Sequence, residues 1–134
     1  MKAKGSYLLI LHLPSAQKIK IGRRKEIFFR EGFYVYVGSA LGGFLPRISH
    51  HLGGKAKRWH VDFLRGRASL EEVILIPSEE RKECEIAGKL SARLPVVRNF
   101  GSTDCGCPGH LFFAPSREEL ERALGGFGGF RIRP

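Results

Sequence analysis

Short apolar runs separated by glycine, proline and charged residues recur along the chain, and their lengths and periods predict more strands than helices. Some runs alternate apolar and polar residues, whereas others are apolar on both faces, as in strands that are covered on two sides. The predicted strands are 6–13, 17–21, 26–30, 33–37, 71–77 and 111–113. Together with a few helical segments, this pattern predicts a small α+β domain with a mainly antiparallel central sheet flanked by helices.

The stretch 32–51 holds the densest strand signal and changes its period half-way. It begins with aromatic and β-branched residues, breaks at Gly38 and continues with helical spacing, which predicts a strand, a turn and a helix. Alternation puts Tyr34 and Tyr36 on one face of the strand. The opposite face takes Phe33, Val35 and Val37. Two ionisable hydroxyls therefore share one side of the predicted sheet.

The helix predicted after this strand has an apolar stripe with a polar edge. The stripe consists of Phe44, Leu45, Ile48 and Leu52. Arg47 and His51 are four residues apart, so they form a row along the edge of the stripe. A cation, an imidazole and phenols therefore converge on the corner between this strand and this helix.

Tyr7 lies in an earlier predicted strand, on the side that the strand's alternate leucines also occupy. These leucines are Leu9, Leu11 and Leu13. Its neighbours alone favour a tyrosine of the hydrophobic core.

A second predicted helix carries a carboxylate on its apolar side. Ser78 is suited to cap this helix, and Glu79 and Glu80 are favourable in a first turn. On a helical wheel Glu83 continues the buried stripe, whereas Glu85 faces the solvated side. The stripe is completed by Ile86, Ala87, Leu90 and Leu94. Because an inward carboxylate is costly unless it is paired or metal-bound, Glu83 indicates a role beyond solubility.

His60 and Asp62 are two residues apart, so an extended segment would place them on one face. Such a pair fits a proton relay. It also fits a purely structural hydrogen bond, which we favour.

The charge balance is the unusual part of the composition. In 134 residues, 23 Lys and Arg face 13 Asp and Glu, which gives a net charge of +10 at pH 7. This excess predicts a polyanionic partner, most simply nucleic acid, and a charge that only maintains solubility is the alternative. Two cationic clusters bracket the strand–helix corner, where they would suit a phosphate backbone. They are Arg23, Arg24 and Lys25, and Lys55, Lys57 and Arg58.

No apolar run approaches the ~20 residues of a membrane span, and the first residues lead into a strand rather than a signal sequence. We therefore expect a cytoplasmic protein without a membrane partner. Residues 1–124 are expected to form the domain. Residues 125–134, rich in Gly, Phe and Arg, are expected to be a mobile tail suited to nonspecific nucleic-acid contact.

The odd number of cysteines, three, argues against a disulfide framework and favours free thiols or a metal. With one histidine they supply the ligand types that zinc prefers. The set is Cys84, Cys105, Cys107 and His110. Its spacing is tighter than in common zinc knuckles, so we favour buried thiols in a tight turn over a structural zinc.

Two tripeptides, with the residues behind the second, resemble the motifs of the GIY-YIG nuclease superfamily. They are Gly5-Ser6-Tyr7 and Tyr36-Val37-Gly38, followed by Arg47 and His51. The chain is most similar to an uncharacterised branch of domains of unknown function, sometimes fused to glycosylases of the endonuclease III type. Two further stretches, 58–64 and 100–111, look like marks of that branch. The resemblance covers residues 5–113.

The resemblance implies a metal-dependent endonuclease that hydrolyses phosphodiester bonds in DNA, with repair or branched DNA as its context. Arg47 would bind the scissile phosphate, and Glu83 would hold one Mg²⁺ or Mn²⁺. Tyr7 or Tyr36 would act as general base, and His51 would support the proton transfer. Two alternatives stay open: a nucleic-acid-binding module that does not cut, and a zinc-stabilised adaptor for a DNA-repair protein.

Overall fold

The computed structural model describes residues 3–23, 25–53, 60–97, 100 and 107–133, and these residues form eight strands and four helices. The strands are β1 (Gly5–Leu13), β2 (Gln17–Ile21), β3 (Lys25–Phe29), β4 (Gly32–Ala40), β5 (Ser69–Pro77), β6 (Val96–Val97), β7 (Leu111–Ala114) and β8 (Phe130–Ile132). The helices are α1 (Phe44–Gly53), α2 (His60–Arg65), α3 (Glu83–Ser91) and α4 (Arg117–Leu124). No helix in the described ranges is long and apolar enough to cross a membrane.

Six strands form one antiparallel sheet in the order β6-β7-β4-β1-β5-β8, and β2 and β3 form a separate hairpin. β1 is central, because it pairs with β4 on one side and with β5 on the other. Its residues from Gly5 to Leu11 are buried, as expected for a strand covered on both faces. The predicted α+β fold with a mainly antiparallel central sheet is confirmed.

Alternating side chains of the sheet enter two separate cores. On one face, Tyr7, Tyr34 and Tyr36 lie in the same core as residues of α1, α2 and the β2–β3 hairpin. On the other face, Val35 and Val37 lie with residues of α3 and α4. The predicted division of β4 into a phenolic face and an apolar face is therefore confirmed.

β4 does not break at Gly38, where a turn was predicted, but continues to Ala40. Gly38 is the β4 partner of Tyr7, and the Tyr7 ring occupies the space that a side chain at Gly38 would fill. A Cβ there would come within 2.7 Å of Tyr7 Cε1 and closer still to Cζ and Oη. The glycine is therefore required for the close approach of the ring and not for a turn.

The buried face of α1 differs from the predicted stripe. Leu45 and Leu52 were expected to be buried, but they are 79% and 47% exposed, whereas Phe44 and His51 are buried. The start of the helix is fixed by a 2.9 Å hydrogen bond from the Phe44 N–H to the Ala3 carbonyl. This orientation turns the histidine, rather than the two leucines, towards the sheet.

The segment with His60 and Asp62 is helical, so the condition for a shared face, an extended segment, is not met. In an α-helix, residues two apart point about 200° from each other around the axis. The two side chains therefore do not share a face, and Asp62 is the one that is buried.

The prediction that Ser78 caps α3 is wrong, because this helix begins at Glu83. The Ser78 hydroxyl accepts a 3.1 Å hydrogen bond from the Glu80 N–H, which closes a local turn ahead of the helix. The predicted apolar stripe is confirmed, because all four of its members are buried. They are Ile86, Ala87, Leu90 and Leu94.

Residues 130–132 form an edge strand, β8, where a mobile tail was expected. Arg131 on this strand donates two hydrogen bonds to Glu72, at 2.7 and 2.8 Å, and two to Glu121, at 2.8 and 3.1 Å. The Glu72 side chain is 4% exposed. Since a buried carboxylate needs a counter-charge, Arg131 fastens β8 to the sheet.

We expect Gly38→Ala to lower the free energy of unfolding by about 1–3 kcal/mol, because the added methyl overlaps the Tyr7 ring. Urea denaturation measures the change. Gly42→Ala is the matched control, since nothing lies within 4 Å of a Cβ at that position. Combined with Tyr7→Ala, the cost of Gly38→Ala should largely disappear. An unchanged cost in that background would contradict this explanation.

Arg131→Ala should destabilise the protein by about 2 kcal/mol, because Glu72 would stay buried without its main partner. Arg122→Ala serves as the control, since Arg122 pairs with Glu118 on the exposed surface of α4, where a pair contributes under about 0.5 kcal/mol. Thermal and urea denaturation of both variants would test the difference. Equal effects would argue against a structural role for the Arg131 pair.

Candidate functional site

A hydrogen bond between two buried side chains lies at the centre of the candidate site. Tyr7 Oη is 2.9 Å from His51 Nε2, and the two ring centroids are 5.4 Å apart. β1 supplies the tyrosine and α1 the histidine, and the two residues are 1% and 3% exposed. Both rings are therefore held by regular elements that pack against each other.

The direction of this hydrogen bond follows from the charge state of His51. Burial lowers the pKa of His51 to about 4, although the charge of Asp62 opposes the shift. The imidazole is therefore neutral at pH 7 and has one N–H. Nδ1 lies 3.7 Å from Asp62 Oδ1, and we assign the proton to Nδ1 on that ground. Nε2 then accepts from the Tyr7 hydroxyl.

Arg47 lies beside the same phenol, one helical turn before His51. Burial raises the pKa of Tyr7, and the positive charge of Arg47 and its hydrogen bond to the phenol oppose this rise. The Tyr7 oxygen is therefore an O–H group at neutral pH, with a cation positioned to stabilise it if the proton leaves. Arg47 itself is half-buried, so part of its guanidinium is within reach of a ligand.

Tyr36 is the second phenol of the site. Its ring centroid lies 6.4 Å from that of Tyr7 and 6.5 Å from that of His51. Burial raises the pKa of Tyr36, and the neighbouring Tyr7 adds to the rise. Tyr34, in contrast, donates its hydroxyl proton to the Arg30 carbonyl at 2.7 Å. The two phenols named in the sequence motifs thus share one cluster, while the third phenol has a structural role.

Glu83 approaches the cluster from the other layer of the fold, at the first residue of α3. Its negative charge contributes to the raised pKa values of both Tyr7 and Tyr36, so the carboxylate lies within electrostatic range of the two phenols. The side chain is 15% exposed, and its contact with Arg81, at 3.8 Å, is long. A largely buried carboxylate oxygen beside a cluster of phenols is suited to hold a hard cation such as Mg²⁺.

Asp62 joins His51 to a second histidine. His50 Nε2 lies 3.0 Å from Asp62 Oδ2, while the other oxygen of the same carboxylate faces His51. The ligand atoms of the three residues lie within 4.8 Å of one another, and the hydrogen bond between His50 and Asp62 accounts for one of these contacts. His50 has no role among the predicted site residues, and its position next to His51 was the signal in the sequence that pointed to it.

His60 occupies a different environment from the one expected. Its ring packs edge-on against Phe100, with centroids 5.6 Å apart. Burial lowers its pKa, and the charge of Lys25 adds to the shift. Because the charge of Lys25 reaches His60, the tip of the β2–β3 hairpin lies within electrostatic range of the start of α2. Arg23 at this tip is exposed. The other cations predicted to contact nucleic acid lie outside the described residues. They are Arg24, Lys55, Lys57 and Arg58.

The structure brings part of the predicted zinc set together. Cys84, Cys107 and His110 each offer one ligand atom, and these three atoms lie within 4.8 Å of one another. The fourth member, Cys105, lies outside the described residues. His110 is buried, whereas both thiols reach the surface. A second cluster of potential ligands therefore lies on α3, next to Glu83 in sequence.

Comparison with known protein families gives a match over most of the chain. Residues 6–127 match the family described as "Domain of unknown function DUF123". No curated protein and no solved structure matches the chain.

The stability of the fold should depend on pH through His51. Between pH 6.5 and about 4, the unfolded histidine binds a proton that the buried one does not. The free energy of unfolding should therefore fall as the pH is lowered through this window, by about 3 kcal/mol in total. Urea denaturation at several pH values would measure the slope.

His51→Gln should make this pH dependence shallower, because glutamine does not titrate. His12→Gln is the matched control, since His12 stacks on Phe33 away from the site, and it should keep the wild-type slope. A slope that His51→Gln leaves unchanged would mean that another group causes the loss of stability.

Proposed function

The chain belongs to the DUF123 family, and we propose that this member is a metal-dependent endonuclease of the GIY-YIG type, which hydrolyses phosphodiester bonds in DNA. The observation that carries the proposal is the hydrogen bond from Tyr7 to the neutral His51, with Arg47 beside the phenol. Phosphodiester hydrolysis needs an activated water, neutralisation of charge at phosphorus and stabilisation of the leaving oxygen. Tyr7 with His51 can activate the water, and Arg47 can neutralise charge at phosphorus. A cation held by Glu83 can stabilise the leaving oxygen.

Arg47 is the residue best placed to bind the scissile phosphate. Its planar guanidinium can donate two parallel hydrogen bonds to phosphate oxygens. Because it also contacts the Tyr7 phenol, a phosphate bound by Arg47 would lie next to the proton-transfer group. Phosphate and base are thereby brought together without a large movement of α1 or β1.

Tyr7 takes the proton of the attacking water, and its own proton moves to His51 Nε2. The water oxygen forms a bond to phosphorus, and the bond from phosphorus to the leaving oxygen breaks. The leaving oxygen then takes a proton from solvent, and His51 releases its proton to solvent. A phenol is a weak base on its own, so this pathway requires the acceptor behind it.

His51 accepts the proton more readily because Asp62 faces its other nitrogen. The charge of Asp62, 3.7 Å from Nδ1, favours the tautomer that leaves Nε2 free of hydrogen, and it stabilises the imidazolium that forms. The logic is that of a nucleophile–histidine–carboxylate triad, with the phenol in the place of the nucleophile. His50, bonded to the second oxygen of Asp62, positions the carboxylate.

Glu83 would hold one Mg²⁺ or Mn²⁺. When bound, such an ion supplies positive charge that offsets the charge developing on the phosphate and leaving oxygens. A single carboxylate is a usual protein contribution to a Mg²⁺ site at a phosphate, since water and phosphate oxygens complete the shell. Glu83 is not part of either cluster of three potential ligands among the described residues, which agrees with such a sparse site.

DNA is the proposed substrate because the chain carries a net charge of +10 and because cations lie around the cluster. Arg23 and Lys25 are at the hairpin tip, beside α2, and Arg65 is close enough to affect His51. These cationic side chains would contact phosphates of the DNA backbone on either side of the cleaved bond. We also propose that the protein acts in the cytoplasm and together with a DNA-repair protein.

Cleavage of supercoiled plasmid and of branched oligonucleotides in Mg²⁺ or Mn²⁺ tests the proposal. Glu83→Gln should lower the rate by about 100-fold or more, because the ion loses its protein ligand. Glu85→Gln is the matched control, since Glu85 lies on the same helix with its side chain 57% exposed. Equal cleavage by wild type and Glu83→Gln would overturn the proposal. DNA binding by both without cleavage would favour a module that binds and does not cut.

Two further variants identify the base in the same assay. Tyr7→Phe should lower kcat by about 100-fold or more, since it removes the proton-transfer group. Tyr36→Phe should have a smaller effect, because Tyr7 is the phenol whose hydroxyl is hydrogen-bonded to His51. The reverse order would assign the base to Tyr36. Thermal denaturation of each variant checks that the fold is kept.

A further inference from the structure

We propose that Cys84, Cys107 and His110 bind a structural zinc ion, which joins the first turn of α3 to the segment before β7. This site is separate from the proposed hydrolytic centre and does not depend on it. Two thiols and an imidazole converge there from distant parts of the sequence, with their ligand atoms within 4.8 Å of one another.

The distances are close to those of a metal site. In tetrahedral zinc, with Zn–S bonds of about 2.3 Å and Zn–N bonds of about 2.0 Å, the ligand atoms lie about 3.3–3.8 Å apart. The three atoms therefore need to move by about 1 Å or less to bind one ion. Zinc is the metal that this donor set favours, because thiolate and imidazole are poor ligands for Mg²⁺.

The backbone of His110 is held by a hydrogen bond on each side. The His110 N–H donates to the Phe100 carbonyl at 2.7 Å, and the His110 carbonyl accepts from the Val37 N–H of β4 at 2.9 Å. Gly109 allows this fit, because a Cβ there would overlap the carbonyl oxygen of Val97 on β6. The buried position and the bonded backbone of His110 limit where its imidazole can lie, which favours binding of an ion at one place.

The position of Cys84 favours its thiolate. It is the second residue of α3, and the partial positive charge at a helix N-terminus stabilises a thiolate. The thiol is exposed, so an ion can reach the site from solvent. The sequence offers a fourth ligand in Cys105, two residues before Cys107.

A zinc ion at this site would also fix the residue next to Cys84, which is Glu83. His110, the zinc ligand before β7, accepts a backbone hydrogen bond from Val37 of β4, the residue between Tyr36 and Gly38. The ion would therefore tie the start of α3 to the strand that carries one of the phenols. This last consequence depends on the proposed function, whereas the binding of zinc does not.

Metal analysis of the protein, purified without chelators, tests the inference. We expect ~1 zinc per wild-type chain and none in Cys84→Ser, Cys107→Ser or His110→Gln. His12→Gln and Glu83→Gln are controls that should keep the ion, and the second separates this site from the hydrolytic one. Replacement of zinc by Co²⁺ should give the intense near-ultraviolet absorption of thiolate-bound cobalt.

Removal of zinc from the wild-type protein by a chelator should lower the Tm, and added Zn²⁺ should restore it. This measurement needs no variant, so it applies even if the variants fold poorly. Cys105→Ser that loses the ion would support a closed four-ligand site, and retention of the ion would support three protein ligands and water.

Three outcomes would overturn the inference. One is a wild-type protein that contains no zinc and shows no change in Tm with Zn²⁺. Another is zinc that persists in Cys84→Ser, Cys107→Ser and His110→Gln. The third is a disulfide between Cys84 and Cys107 in protein purified under reducing conditions, detected by mass spectrometry. None of these three outcomes depends on whether the protein has nuclease activity.

Discussion

The absence of a side chain at Gly38 is the constraint on which the rest of the site depends. Because β4 leaves that space empty, the Tyr7 ring can lie across it and bring its hydroxyl to His51. The hydrogen bond between them then requires α1 to face the sheet with its histidine. That orientation leaves Leu45 and Leu52 exposed, which is a cost in hydrophobic burial. A polar contact in the core thus determines how an apolar helix packs, and Asp62 and Arg47 acquire their places around it.

The alternation of side chains was sufficient to predict six of the eight described strands, all but the short β6 and β8, because burial on one or both faces of a sheet gives a period of two residues. β2 has the predicted bounds and β5 differs only at its start. The same reasoning could not predict where β4 ends, since the role of Gly38 depends on a ring 31 positions earlier in the chain. It also failed for α1 and α2. In both helices a buried polar residue, His51 or Asp62, replaces an apolar one, and hydropathy counts such residues as exposed.

The sequence predicted those residues of the site whose positions follow from the periodicity of a single helix. Arg47 and His51 lie one turn apart on α1, and Glu83 follows from the phase of α3. The contacts that give these residues their chemistry are long-range, and the sequence records none of them. His50 and Asp62 are an example, because their bond links two helices. The partnership of Cys84 with His110 is another, since it depends on how α3 and the segment before β7 meet.

The salt bridge between Arg131 and Glu72 bears on where the folded unit ends. The family match stops at residue 127, which is before β8 and before the arginine that neutralises Glu72. A protein trimmed to that boundary would keep a carboxylate inside the sheet and lose the cation facing it. It would also leave β5 as an open sheet edge, with unpaired N–H and C=O groups that favour association with another chain. The boundary of sequence similarity and the boundary of stability therefore differ in this protein, and a chain that includes residues 128–133 is the smallest one that satisfies both.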